Sequence, residues 1–113
     1  MNDESKVAKA IAIRKYISYI KRRVKYIKFG LLECSDNQIS YFNALSESID
    51  SFAKNHKLFM KYIVGKISFE ETKSILGLND RQTFKYLEKQ REIFINYIQR
   101  KETEYLSKIP VWG

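Results

Sequence analysis

From Ala10 to Leu31 the apolar residues Ala10, Ile13, Ile17, Ile20, Val24, Ile27 and Leu31 are separated by alternating steps of three and four. That spacing puts all of them on one stripe of an α-helix, whereas a strand, with its period of two, cannot present them together. As a helix the segment runs roughly 33 Å at about 1.5 Å per residue. Asp3 or Ser5 can cap its start and Gly30 supplies a stop. The stripe fits either a seam within a bundle or a short two-stranded coiled coil.

The same periodicity continues. Ser35-Asp36-Asn37 offers a second cap, followed by Ile39, Phe42, Leu45, Ile49, Phe52, His56, Phe59 and Ile63, with an interruption expected around Ser46 to Ser51 and an end at Gly65-Lys66-Ile67. Ser68-Phe69-Glu70-Glu71 has the form of a capping box, in which hydroxyl and carboxylate each satisfy a backbone N–H that the helix leaves unpaired. It opens a short helix that stops at Gly77. Asn79, with Gln82 three positions on, opens a last helix through Phe84, Leu87, Phe94 and Ile98, flanked by Ile93 and Tyr97 and extending towards Leu106. Pro110, Val111 and Trp112 follow without periodicity.

Only four glycines and one proline punctuate 113 residues, too little turn material for a many-stranded protein. The expectation is an all-α single domain over residues 1–113: a small helical bundle with a long N-terminal helix and a C-terminal helix-turn-helix. Residues 1–64 form a support and dimerisation region, 65–107 the helix-turn-helix with an extended last helix, and 108–113 a tail.

A formal net charge of +8 directs the chain towards polyanions, either nucleic acid or an acidic membrane surface. The charge is uneven. Residues 1–30 hold nine Lys/Arg against two acids, residues 31–60 two against four, and residues 61–113 ten against seven. The first helix and the C-terminal region are therefore the polyanion-facing candidates. No apolar run approaches the ~20 residues a membrane span needs. Met1 to Ser5 are acidic and polar with no apolar stretch ahead of a cleavage site, so export is not expected, and Cys34, the one cysteine, allows no internal disulfide. The expected compartment is the cytoplasm.

Catalysis finds little material. His56 lies in an apolar stripe and is distant in sequence from Cys34, so no metal set forms. Glu70 and Glu71 are adjacent on a helix and point apart, which suits capping better than paired acid/base work. Neither an enzyme nor a cofactor is expected.

Ser68 to Leu87 has the layout of a helix-turn-helix: a capped short helix, a turn at Gly77-Leu78-Asn79 and a second capped helix. Thr72, Ile75, Leu76, Leu78, Thr83 and Leu87 would be internal, leaving Asp80, Arg81, Gln82, Lys85, Tyr86 and Lys89 outward. Arg81 can bridge guanine O6 and N7, and Gln82 can pair with adenine. Lys66, Ser68, Lys73 and Lys89 are placed for phosphates. Lys73 stands where such motifs carry a small residue, and its stem would snorkel outward.

The run Ser68-Phe69-Glu70-Glu71 through Leu76-Gly77-Leu78-Asn79-Asp80-Arg81-Gln82-Thr83-Phe84-Lys85-Tyr86 resembles the C-terminal helix-turn-helix of phage transcription activators of the ArpU and RinA type, themselves similar to region four of sigma factors. The resemblance covers residues 60–100. It implies that Asn79, Arg81, Gln82 and Lys85 take the DNA-reading positions and that the role is promoter activation in a prophage or mobile element, with RNA polymerase a candidate partner.

The basic face of the first helix admits several readings: phosphate contacts outside the motif, an anionic membrane, or a solvated bundle surface. The stripe is needed as core, which disfavours the membrane. Lys21, Arg22, Arg23 and Lys25 beside Tyr19 and Tyr26 could also grip RNA, since bases stack on aromatic rings. The leading expectation is a sequence-specific double-stranded-DNA binder acting as a homodimer. The competing one is a helical protein-interaction module, such as a phage inhibitor whose basic surface covers a site on a host protein.

Overall fold

The computed structural model describes residues 3–108, with side chains from residue 11 onward. The capping of the first helix by Asp3 or Ser5, the place of Ala10 in the stripe, and the tail of Pro110, Val111 and Trp112 lie outside what is described. The chain forms five helices: α1 (Asp3–Lys28), α2 (Asp36–Asn55), α3 (Lys57–Ile63), α4 (Phe69–Leu76) and α5 (Asp80–Ser107). No strand occurs among the described residues.

Three helix starts use the same local device. Ser35, Ser68 and Asn79 each accept a hydrogen bond from the backbone N–H three residues on, while the side chains of Gln38, Glu71 and Gln82 accept one from the cap residue's own N–H. Each pairing satisfies two donors that the first turn would otherwise leave unpaired. α4 ends at Gly77, whose φ of 66° is left-handed; the Leu78 N–H then reaches the Lys73 carbonyl and the Gly77 N–H the Ser74 carbonyl.

The second helix is not interrupted at Ser46 to Ser51. Ser46 and Ser48 are engaged by side chains of other helices instead of by a local turn. Ser46 Oγ accepts from Lys21 Nζ at 2.8 Å, Ser48 Oγ and the Tyr105 hydroxyl share a 2.6 Å hydrogen bond, and the Ser48 carbonyl accepts from the Tyr97 hydroxyl at 3.2 Å. The break falls later, at His56 (φ −136°, ψ 51°), which separates α2 from α3. The His56 ring stacks on Phe52 at 4.0 Å, and its Nδ1 lies 3.0 Å from Gln90 Oε1, so the kink is tied to α5.

One core joins the helices. Ile13, Ile17 and Ile20 of α1 share it with Leu45, Ile49 and Phe52 of α2, Phe59 and Ile63 of α3, and Leu87, Phe94 and Ile98 of α5. The Phe52 ring meets Phe94 edge-on at 5.1 Å and Tyr97 at 5.4 Å. Burying a side chain of this size is worth about 1.5–3 kcal/mol, so the inner row of α5 holds it to the bundle. The α1 stripe is an intramolecular seam: Val24 and Ile27 also pack against the core, while Leu31 lies beyond the helix and is 73% exposed. Since the stripe lies against its own chain, it is not a coiled-coil face.

Candidate nucleic-acid interface

α4, the Gly77-Leu78-Asn79 turn and the start of α5 form one locally tied unit. Thr72 and Thr83 are wholly buried, and each hydroxyl donates at 2.8 Å to the carbonyl four residues earlier, Ser68 and Asn79 respectively. Buried threonines of this kind add bulk to the interface without leaving a polar group unpaired. The rings of Phe69 and Phe84 lie 4.5 Å apart, clasping the first turn of α4 to that of α5.

Lys73 completes the clasp. Its stem is half-buried and its ammonium lies 2.7 Å from Asp80 Oδ1 and 3.8 Å from Glu70 Oε2. The hydrogen bond to Asp80 is the main reason its pKa is raised. This corrects the expectation that Lys73 is set out for phosphate: a long stem at the crowded position snorkels to a carboxylate on the next helix, and its charge is matched there.

The remaining expected residues divide into two groups. Arg81, Lys85 and Lys89 are exposed, and spaced by four they form one row along α5. Among the described residues none of the three is in an ion pair. Asn79 and Gln82 are exposed but committed to the cap. Asn79 Oδ1 accepts from the Gln82 N–H at 2.8 Å, and Gln82 Oε1 accepts from the Asn79 N–H at 3.1 Å. A two-point adenine contact needs that Gln82 carbonyl, so in this geometry Gln82 has only its amino group to offer. Ser68 likewise accepts from the Glu71 N–H and keeps its hydroxyl proton.

Two further placements differ from expectation. Ile75 is 64% exposed, because α4 turns Thr72 and Leu76 inward, one helical turn apart, and Ile75 falls outside that face. Tyr86 is half-buried against the core and its phenol pKa is raised by burial; it does not face outward. The first turns of α5 therefore present Arg81, Lys85, the cap amides and the Asp80 carboxylate that Lys73 pairs, while Tyr86 is turned away.

The unit itself has no charge surplus: between Ser68 and Glu92 acids and bases are equal in number. The surplus lies alongside. Lys66 is exposed just before the Ser68 cap, and Lys57, Lys61 and Lys66 line a shallow groove with Lys21, whose charge Asp50 of the same groove matches, over an apolar floor of Ile17, Ile49, Met60 and Val64. Lys57 and Lys61 were not singled out from sequence, although their spacing of four on α3 is a readable signal. Arg14 is tied in from α1: its Nε donates to the Ile63 carbonyl at 2.6 Å, and its guanidinium lies against Gly65.

Arg91 also escaped the sequence reading. It lies on the inner row of α5, 4% exposed, and among the described residues its Nε and Nη2 lack hydrogen-bond partners. Among the described residues no group of three or more His, Cys, Asp or Glu side chains could hold a metal ion, and no helix is long and apolar enough to cross a membrane. Comparison of the chain with protein-family models, with curated proteins and with solved structures gives no match.

Proposed function

We propose that this protein is a sequence-specific double-stranded-DNA binder acting in transcription control, with the first turns of α5 entering the major groove. The observation that carries the reading is the row of Arg81, Lys85 and Lys89, exposed and outside any ion pair among the described residues, on a helix whose opposite face is locked into the core through Thr83 and Leu87. A rigid helix with its cations on one side meets the requirement for groove insertion. Arg81 is the first candidate for guanine, with Lys85 beside it; Lys66, Lys89 and the hydroxyl of Ser68 are placed for phosphates, and Lys57 and Lys61 extend that basic margin. Promoter activation, a phage or mobile-element setting, a cytoplasmic location and contact with RNA polymerase follow from the resemblance and the sequence reading. A two-fold dimer on half-sites ~34 Å apart is the usual way for such a motif to gain affinity, and it would have to use a surface other than the α1 stripe.

A second reading, a helical protein-interaction module, is favoured by the charge balance of the unit and by the exposed Ile75 beside it. Selection from a random duplex pool separates the two. The DNA reading expects an enriched sequence whose affinity falls by about 1–3 kcal/mol in Arg81→Ala, with little change on random duplex, and steeply with added salt for both. A pool that yields no enrichment, or an Arg81→Ala loss equal on all sequences, removes specific DNA reading.

A further inference from the structure

A second surface lies on α1, away from the α4–α5 turn. No acid occurs between Glu4 and Glu33, while Arg14, Lys15, Lys21, Arg22, Arg23, Lys25 and Lys28 fall in that interval. Tyr19, Arg22, Arg23, Tyr26 and Leu32 line a cleft of about 350 Å³. Its composition is specific: two phenol rings and two guanidinium groups, without a carboxylate. The Arg23 guanidinium lies over the Tyr19 ring at 5.1 Å and 5.7 Å from the Phe42 ring, so aromatic faces hold it in place of an acid. Arg22 is exposed, and among the described residues it makes only a long bond, 3.4 Å, to the Ser18 carbonyl one turn back.

Tyr19 and Tyr26 are the exposed tyrosines; Tyr16, Tyr41, Tyr62, Tyr86, Tyr97 and Tyr105 are buried or half-buried. Tyr41, Tyr97 and Tyr105 direct their hydroxyls to partners on other helices. Tyr19 and Tyr26 are 44% and 41% exposed, and neither hydroxyl has a hydrogen bond among the described residues. Tyr26 has no ring or cation against it among the described residues, while Tyr19 stands edge-on to Phe42 at 6.3 Å and carries Arg23 over its ring; both keep exposed aromatic surface, which is what a stacking platform requires. Seven residues apart, the rings share one face about 10.5 Å apart along the axis, too far to sandwich one base but suited to taking separate bases of one strand. The guanidinium groups between them sit where the connecting phosphates would pass.

We infer that the Tyr19–Arg22–Arg23–Tyr26 cleft of α1 binds single-stranded nucleic acid, stacking unpaired bases on the two rings and pairing the backbone with Arg22 and Arg23. A duplex covers its base faces and offers this cleft only phosphates; a single strand offers both. The site shares no residue with the proposed duplex-reading surface.

The test is fluorescence anisotropy of the full chain with a labelled oligothymidine of about a dozen nucleotides, against an equal length of duplex and against polyphosphate as competitors. Tyr26→Leu removes a ring that touches no other aromatic residue among those described, so the fold is kept; circular dichroism checks this. The expected loss is about tenfold in affinity for Tyr26→Leu, as for the removal of one stacked base, and more for the pair Tyr19→Leu/Tyr26→Leu. Tyr19→Phe/Tyr26→Phe keeps the rings and should bind as the parent does. Arg81→Ala/Lys85→Ala should leave oligothymidine binding unchanged, so this site and the duplex reading can fail separately. Unaltered affinity in folded Tyr26→Leu, equal competition by polyphosphate, or preference for duplex at this surface would each overturn the assignment; in the last two cases the cleft answers to charge alone.

Discussion

The α4–α5 turn and the α1 face handle charge in opposite ways. At the turn nearly every device is local and balanced: Lys73 is matched by Asp80 and Glu70, the caps consume Asn79 and Gln82, and the row from Arg81 to Lys89 is left outside the ion pairs of the described residues. Along α1 the cations outnumber their partners. Lys21 finds Asp50 at 2.5 Å, whereas Arg22, Lys25 and Lys28 face solvent without an acid among the described residues. A chain-wide +8 therefore does not mark where the α4–α5 unit lies. Shape and rigidity are concentrated at one place, and long-range attraction at another.

If these regions are two faces of a single cooperative body, a core change should melt both together. Phe59 is fully buried in the core that joins α1 and α5. Phe59→Ala should cost about 3–5 kcal/mol, with one urea transition reported alike by far-ultraviolet dichroism and by amide signals from α1 and α5. Separate transitions would divide the molecule. Arg91 tests the interior in the other direction. Replacing its guanidinium, two of whose nitrogens lack partners among the described residues, with an unbranched apolar side chain in Arg91→Met should raise stability by about 1–3 kcal/mol in a thermal melt. A destabilised variant would show that the charge has a role in the fold.

The turn can then be loosened alone. Asn79→Ala removes a cap and should cost about 1 kcal/mol, with hydrogen exchange accelerated chiefly at the first amides of α5 and α1 amides following only the global change. Uniform acceleration would mean that the cap supports the whole body. The tyrosines give the smallest effect near neutral pH. Burial first, then the Glu102 charge, pushes Tyr41 up to about 12, and Tyr16 and Tyr86 are raised in the same direction, chiefly by burial. A raised folded value means the folded state keeps its protons after the unfolded chain has lost them. Stability is thus complete below the ordinary tyrosine value and declines from pH 10 through 12, as tyrosinate absorbance and melting temperature recorded together should show.

What the sequence disclosed follows the range of each interaction. The boxes at Ser68 and Asn79 and the stop at Gly77 were legible because cap and partner lie within a few residues of each other. The all-α class followed from spacing alone. The break at His56 was not legible, since it is fixed by Phe52 and by Gln90, the latter far along the chain on α5. Nor was the continuity of α2 through its serines, which depends on Lys21, Tyr97 and Tyr105. At the candidate site, exposure of Arg81 and Lys85 could be read from helical phase. The diversion of Lys73 to Asp80, the outward Ile75 and the inward Tyr86 depend on how two helices cross, which no single-helix pattern encodes.

The three reciprocal caps at Ser35, Ser68 and Asn79 have a kinetic consequence. Starting a helix is the slow, entropically uphill step, and extension afterwards is fast. A cap closed within four residues lowers that initial barrier without waiting for distant chain, so α2, α4 and α5 can each begin winding while the rest is still unfolded. Refolding after dilution from denaturant should then be quick, as for other proteins dominated by short-range contacts, and erasing these caps should slow the folding limb of the chevron more than it speeds the unfolding limb.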